Sequence, residues 1–287
     1  MRAAMPAVAA AGVVAVHDKD GGKGAPALFA AAKLPLRVWQ SVPADAASFE
    51  GGHYVKAFMD GTLGSRTARL LDGTGVQITS AEGLAVLIRR AAEHGLPLAV
   101  HAIGDRANRD ALDAFAATRE AWRGLRPRIE HAQCVHPDDV PRFAELGVAA
   151  SVQFTHATSD RDVAERLWAD RIDHAYPYRS LLDAGAVVAG GSDAPIEPLD
   201  PLAGLRAAVL RTLDERPGWR PEQALPLAAA LAAFTTAPAW LEGAEDRRGR
   251  LAPGLAADVT VLDRDPAADL PGARVAATML AGEWLAP

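Results

Sequence analysis

One unit recurs along the chain. A helix-patterned stretch closes on glycine, a short apolar run follows, and a polar residue stands where the run ends. "AEHGLPLAVH" gives Gly95, the run and then His101; "WRGLRPRIEH" gives Gly124 and then His131. "AELGVAASVQFTH" gives Gly147, then Gln153 and His156, and "LDAGAVVAGGSD" gives Gly185 and then Asp193. Glycine supplies the left-handed cap that ends a helix, and continuous apolar strands between helices mark a parallel sheet buried on both faces. The runs predict seven strands, over 12–17, 34–40, 53–59, 96–101, 127–131, 148–154 and 186–191. The nearest closed architecture for this α/β series is a (β/α)8 barrel of the TIM type. A doubly wound open sheet is the alternative.

Helices fill the intervals. In "TSAEGLAVLIRRAAEHG", Thr79 and Glu82 have capping-box spacing, and Leu84, Leu87, Ile88, Ala91 and Ala92 form one apolar face. "HPDDVPRFAELG" places Pro137 in a first turn with Asp138 and Asp139 at the positive end of the helix dipole. Further helices are expected over 104–121, 176–184, 200–213 and 221–234. After residue 248 the texture changes to short β-patterned segments between Pro and Gly turns. The expected organisation is therefore a barrel domain over 1–248 and a small β-appendage over 249–287.

Composition narrows the class. The chain has 287 residues, 49% of them hydrophobic and 23% charged, enough to build a sizeable core. The net charge of −6 and the absence of a basic patch argue against nucleic acid as a partner. No apolar stretch is long enough to span a bilayer. The N-terminal "MRAAMPAVAAAGVVAVHDKD" loosely imitates a signal peptide, but "GVVAV" running into His17 and Asp18 reads better as a strand. A single cysteine, Cys134, excludes an internal disulfide and a CxxC site, and fits a reducing, cytoplasmic setting. Only four of the 30 basic residues are lysines: Lys19, Lys23, Lys33 and Lys56. Lys56 alone lies within an apolar strand, in "HYVKAFMDG".

If the strands close a barrel, their C-terminal ends meet at one mouth. The residues placed there are Lys56, His101, His131 and Asp193. Two imidazoles with oxygen ligands form a typical set for Zn²⁺ or a similar divalent ion, which acidifies water and polarises a carbonyl. Asp193 is placed to take the proton. Any one of these residues alone reads more simply as a backbone or turn contact; four that each close a strand of one series point to a shared site. Asp60, Arg66 and Asp105, just after strands, are candidates for substrate contact or support of the site, with loop capping the simpler reading. His156 is a further candidate for the mouth. His53 and His174 read as solvated, His94 as a helix-end residue and His136 as a cap. Cys134, Trp168, Trp219 and Trp240 read as core. There is no GxSxG elbow, GxGxxG or P-loop.

At "VKAFMDGTLGSRTARL", "HAIGDRANRDALDAF", "RIEHAQ", "SVQFTHATSD", "YPYRSLLDAGAVVAGGSDAPIEPLDP" and "GRLAPGLAADVTVLD" the sequence resembles the amidohydrolase superfamily. The similarity is to the amidohydrolase 3 branch of YtcJ-like proteins and N-substituted formamide deformylases. The resemblance implies a distorted (β/α)8 barrel with a β-sandwich built from both chain ends. It implies a carboxylated Lys56 bridging divalent ions, His101 and His131 as ligands, and Asp193 as ligand and proton shuttle. It implies hydrolysis of a non-peptide C–N bond in a small molecule; assembly as a homo-oligomer is a separate expectation. One element of the pattern is absent: the family's first strand ends in His-x-His, and this chain contains no such motif. "GVVAVHDKD" resembles the family's second strand, so the expectation is an incomplete barrel of strands 2–8, from a truncated gene product or a misassigned start codon. The alternative in function is an inactive remnant or scaffold.

Overall fold

The structure is a computed structural model that describes residues 2–19, 22 and 24–286, Ala286 by its backbone only; Lys23 lies outside the described residues. Seven strands form one parallel sheet: β1 (Ala15–Asp18), β2 (Arg37–Pro43), β3 (Tyr54–Phe58), β4 (Leu98–Ala102), β5 (Arg128–His131), β6 (Ala149–Val152) and β7 (Val188–Gly190). They neighbour one another strictly in chain order. This order is that of a barrel wall and removes the doubly wound alternative, whose strand order reverses at a switch point. β1 and β7 form the two edges of the sheet among the described residues, so the barrel is open. The wall is nonetheless strongly curved. Lys19, one residue past β1, bonds to Glu130 on β5 and donates to Ser151 on β6 at 3.1 Å.

All seven expected strands are present, with shifted ends. The largest shift is in β2, expected over 34–40 and found at Arg37–Pro43. Leu34 and Leu36 continue the apolar run, but Pro35 between them has no N–H for the ladder. The helix expected over 221–234 is two pieces, a 3₁₀ turn Pro221–Gln223 and an α-helix Leu227–Phe234. Pro226 disfavours helical geometry at Leu225 and begins the second piece. The expected capping box is displaced by one residue: Ser80, not Thr79, accepts the N–H of Gly83 at 3.1 Å. The helix that follows, Ala81–Glu93, buries Leu84, Ile88 and Ala91 on the predicted face. The short helices Met5–Ala10 and Ala25–Ala32 had no counterpart among the expected elements.

The C-terminal appendage is a three-stranded antiparallel sheet of β8 (Val259–Leu262), β9 (Val275–Leu280) and β10 (Glu283–Ala286), in the order β10-β9-β8. The helix Met5–Ala10 packs against it. Thr278 donates to the carbonyl of Ala9 at 2.6 Å, and Thr260 to that of Gly12 at 2.8 Å. Both chain ends thus meet in this layer. No helix among the described residues is long and apolar enough to cross a membrane.

Candidate metal centre

Register decides which strand residues face inward. Phe58 pairs with His101, and His101 with Glu130. Paired residues of a parallel ladder share a face, and alternate residues along a strand do too. Lys56, His101, Arg128 and Glu130 therefore point into the barrel. His131 pairs with Ala102 and by alternation would point outward. It does not, because His131 has φ +76° and Ala132 φ +44°. This left-handed kink at the end of β5 turns the ring inward beside His101, with ring centroids 4.6 Å apart.

Each histidine has one nitrogen engaged. His101 Nε2–H donates to the carbonyl of Gly61 at 3.0 Å, which leaves Nδ1 with its lone pair. His131 Nδ1–H donates to Gln153 Oε1 at 2.7 Å, which leaves Nε2. Anchoring one nitrogen this way fixes the tautomer and the ring orientation of a metal-binding histidine. Burial pushes the imidazolium pKa of His101 down to about 4 and that of His131 well below its ordinary value. Both rings are therefore neutral at physiological pH.

Lys56 is 6% exposed, and its Nζ has no hydrogen-bond partner among the described residues. The Phe58 ring lies beneath it, 3.7 Å from Nζ to centroid. Burial lowers its pKa to about 8. The amine stands next to Glu130, which is completely buried. Burial alone would raise the pKa of Glu130, but Lys19 and Arg128 outweigh it and hold the carboxylate well below its ordinary range. Arg128 Nε donates to Glu130 Oε1 at 2.7 Å, its guanidinium lies 4.2 Å over the Tyr54 ring, and Nη1 donates to His17 Nδ1 at 3.1 Å. His17 in turn donates to Glu242 at 2.8 Å. None of Lys19, Arg128, Glu130 and Glu242 was singled out from the sequence.

Asp193 lies past β7 at φ +58°, with Oδ2 3.9 Å from His156 Nε2. Burial raises its pKa. His131, His156 and Asp193 bring one potential ligand atom each to within 4.8 Å of one another. His101 adjoins this trio through His131. Gln133 donates to His156 Nδ1 at 3.1 Å, so the ring proton sits on Nε2, which is enclosed and otherwise unpartnered. His156 thereby presents a donor toward Asp193. Of the two glutamines that orient the histidines, Gln153 was read only as a polar strand-end residue and Gln133 was not singled out, because each acts from a neighbouring strand end.

The remaining candidates separate clearly. Asp60 is a staple: its carboxylate accepts the N–H groups of Arg69, Ile103 and Gly104 at 2.8, 3.0 and 2.8 Å. Residue 104 must be glycine, since a Cβ there would meet the Arg69 carbonyl oxygen at 2.0 Å. Asp60 also lies 3.5 Å from His101 Nε2. Asp105 is buried and accepts the N–H of Leu71 at 2.8 Å. Arg66 is exposed, at φ +59°. His53 is not simply solvated: Nδ1 accepts the Gln40 N–H at 3.1 Å and the ring packs on Trp39. His174 is likewise partly buried. His136 caps the turn Pro137–Asp139 as expected. Trp168 and Trp219 are core, whereas Trp240 is half-buried beneath the Arg126 guanidinium.

The profile of the amidohydrolase family matches residues 1–286. The chain belongs to the amidohydrolase family. It is 39% identical over 223 residues to the putative amidohydrolase YtcJ of Bacillus subtilis (strain 168), an overlap of 74% of this chain and 42% of that protein. It is 31% identical over 180 residues to the N-substituted formamide deformylase of Arthrobacter pascens, 62% of this chain and 33% of that one. An uncharacterised metal-dependent hydrolase from Pyrococcus furiosus superposes with a TM-score of 0.78 at 32% identity, over 92% of this chain and 58% of its own. The chain spans less than half the length of these two curated relatives.

Proposed function

We propose that the strand-end site holds a divalent ion, zinc being the first choice, and hydrolyses an amide-type C–N bond in a small molecule. The observation that carries this reading is the Lys56 amine, buried without a hydrogen-bond partner among the described residues and near two neutral, pre-oriented histidines. An unpaired buried amine costs roughly 1–3 kcal/mol, and function at the site supplies the reason to keep it. Lys56 is proposed to add CO₂ at its neutral amine, lose one proton and become a carbamate, which would offer two oxygens as ligands. Arginine could not do this, because it stays protonated. The ion would be held by the Lys56 carbamate, His101 Nδ1, His131 Nε2 and Asp193; when bound it polarises a carbonyl and acidifies water.

The chain's own groups do the rest. Asp193 accepts the proton of the attacking water and returns it to the departing nitrogen. His156 Nε2–H, facing Asp193, donates to the substrate oxygen on which charge develops. Gln133 and Gln153 keep these rings in the required tautomers. The kinship with the formamide deformylase favours N-formyl amines as the first substrates to test.

Lys56→Met tests the reading. It removes hydrolysis of N-formyl and N-acyl amines and, by replacing a buried amine with an apolar chain of similar length, stabilises the fold by roughly 1–3 kcal/mol. Turnover and urea unfolding measure the two effects. Undiminished turnover in the variant would remove Lys56 from the site, and a wild type without turnover on any amide would favour the scaffold reading. Gln153→Leu is expected to weaken divalent-ion affinity about 10- to 100-fold in chelator competition. Unchanged affinity would mean that Gln153 does not orient a ligand.

A further inference from the structure

Apart from the strand-end site, Asp105, Cys134 and His174 bring a carboxylate oxygen, the thiol sulfur and a ring nitrogen to within 4.8 Å of one another. They come from three segments that the fold must bring together. Asp105 opens the helix Asp105–Ala117 after β4. Cys134 follows β5 and pairs in an isolated antiparallel bridge with Ala175. His174 closes the 3₁₀ turn Ala169–His174 in the long connection between β6 and β7. Cys134 and Asp105 are buried. His174 Nδ1 is enclosed, lacks a hydrogen-bond partner among the described residues and lies 4.0 Å from Asp105 Oδ2. Enclosed nitrogens without partners are rare, because each forfeits its hydration for nothing in return.

We propose that Asp105, Cys134 and His174 form a second divalent-metal site, one that pins the β6–β7 connection onto the ends of β4 and β5. Thiolate, imidazole and carboxylate together select a borderline ion such as Zn²⁺ or Co²⁺ over the oxygen-seeking Mg²⁺ and Ca²⁺. Bond lengths of about 2.0–2.3 Å in a tetrahedron place ligand atoms about 3.3–3.6 Å apart, so the trio closes on an ion with shifts of roughly 1 Å. The thiol gives up its proton to solvent on binding. The thiolate and Asp105 then balance the two charges of the ion.

Arg171 does not block this site. Its Nη1 lies 3.5 Å from Asp105 Oδ2, and the guanidinium is shared with Asp72 and Asp170. It can remain as the outer partner of a ligating carboxylate, which has lone pairs for both. His136 packs edge-on against His174 with centroids 5.0 Å apart, but its Nδ1 accepts the Asp138 N–H, so its proton lies on Nε2 and the ring is not a ligand. The fourth position falls to water, which enters on the partly exposed side of His174. The site does not depend on the strand-end chemistry.

Cys134 is the only cysteine in the chain, so thiolate-to-cobalt charge transfer reports this site alone. The full chain is stripped with chelator and titrated with Co²⁺. The expected result is a near-ultraviolet charge-transfer band that saturates, is lost in Cys134→Ala, weakens in His174→Ala and persists in His131→Ala. Cobalt bound to the wild type without that band would overturn the proposal. So would a band of undiminished affinity in His174→Ala.

Discussion

Asp193→Asn lowers kcat/KM for amide hydrolysis by about 10²- to 10⁴-fold, the range set by removing a positioned general base. The substitution keeps the shape of the side chain and removes its charge and its ability to accept the proton. It should not disturb the backbone: Asp193 has φ +58°, a left-handed conformation that asparagine tolerates as well as aspartate. The side chain is only half-buried, and the His156 ring is 3.9 Å away. The thermal unfolding midpoint should therefore stay close to wild type while the rate collapses. The check is a rate measurement with a melting curve on the same preparation. A loss smaller than tenfold in a folded variant would take Asp193 out of the proton transfer.

Glu130→Gln is expected to destabilise the fold by about 3–5 kcal/mol, the cost of removing one partner from a buried ion cluster. Glu130 pairs with both Lys19 and Arg128, with Lys56 nearby. A neutral amide still accepts from Arg128, but it leaves two buried cations without a counter-charge. The same group makes the protein acid-sensitive. Its pKa in the fold is held well below its ordinary value of 4.5. Its contribution is thus complete above about 4.5 and is lost as pH falls through the lower folded value, where Glu130 takes up a proton and no longer offsets the charges of Lys19 and Arg128. Urea unfolding measured at neutral pH and again in acid checks both statements. Wild type and variant should differ most at neutral pH and converge in acid. Equal stability at neutral pH would show that the cluster contributes nothing net.

The strand ladder was readable because it is local. Gly95, Gly124, Gly147 and Gly185 each adopt positive φ, as the helix-ending role requires, and each precedes one strand of the sheet. Chain order then placed Lys56, His101, His131 and Asp193 at one end of that sheet. The boundaries of β2 were less readable, since an apolar run does not reveal that Pro35 cannot join the ladder. The orientation of His131 was hidden for a different reason: alternation alone would turn it outward, and only the kink at His131 and Ala132 brings it in. The supporting residues were least accessible. Arg128 and Glu130 do carry a signal, two charges at same-face spacing on either side of Ile129 in a buried strand. Their partner Lys19 comes from the far side of the barrel, a contact no local pattern encodes. Gln133 and Gln153 look like ordinary strand-end residues until the rings they orient are in place. Cys134 read correctly as a buried side chain, but its neighbours Asp105 and His174 are distant in sequence.

The central claim is that the ends of β3, β4, β5 and β7 form a metal-binding hydrolytic site. The most direct measurement is an anomalous-difference map at the zinc edge from crystals of the zinc-loaded protein. The account predicts a peak about 2.0–2.3 Å from His131 Nε2 and the Asp193 carboxylate, shared with His101 Nδ1. Zinc ordered elsewhere in the molecule, with no peak at these strand ends, would contradict it.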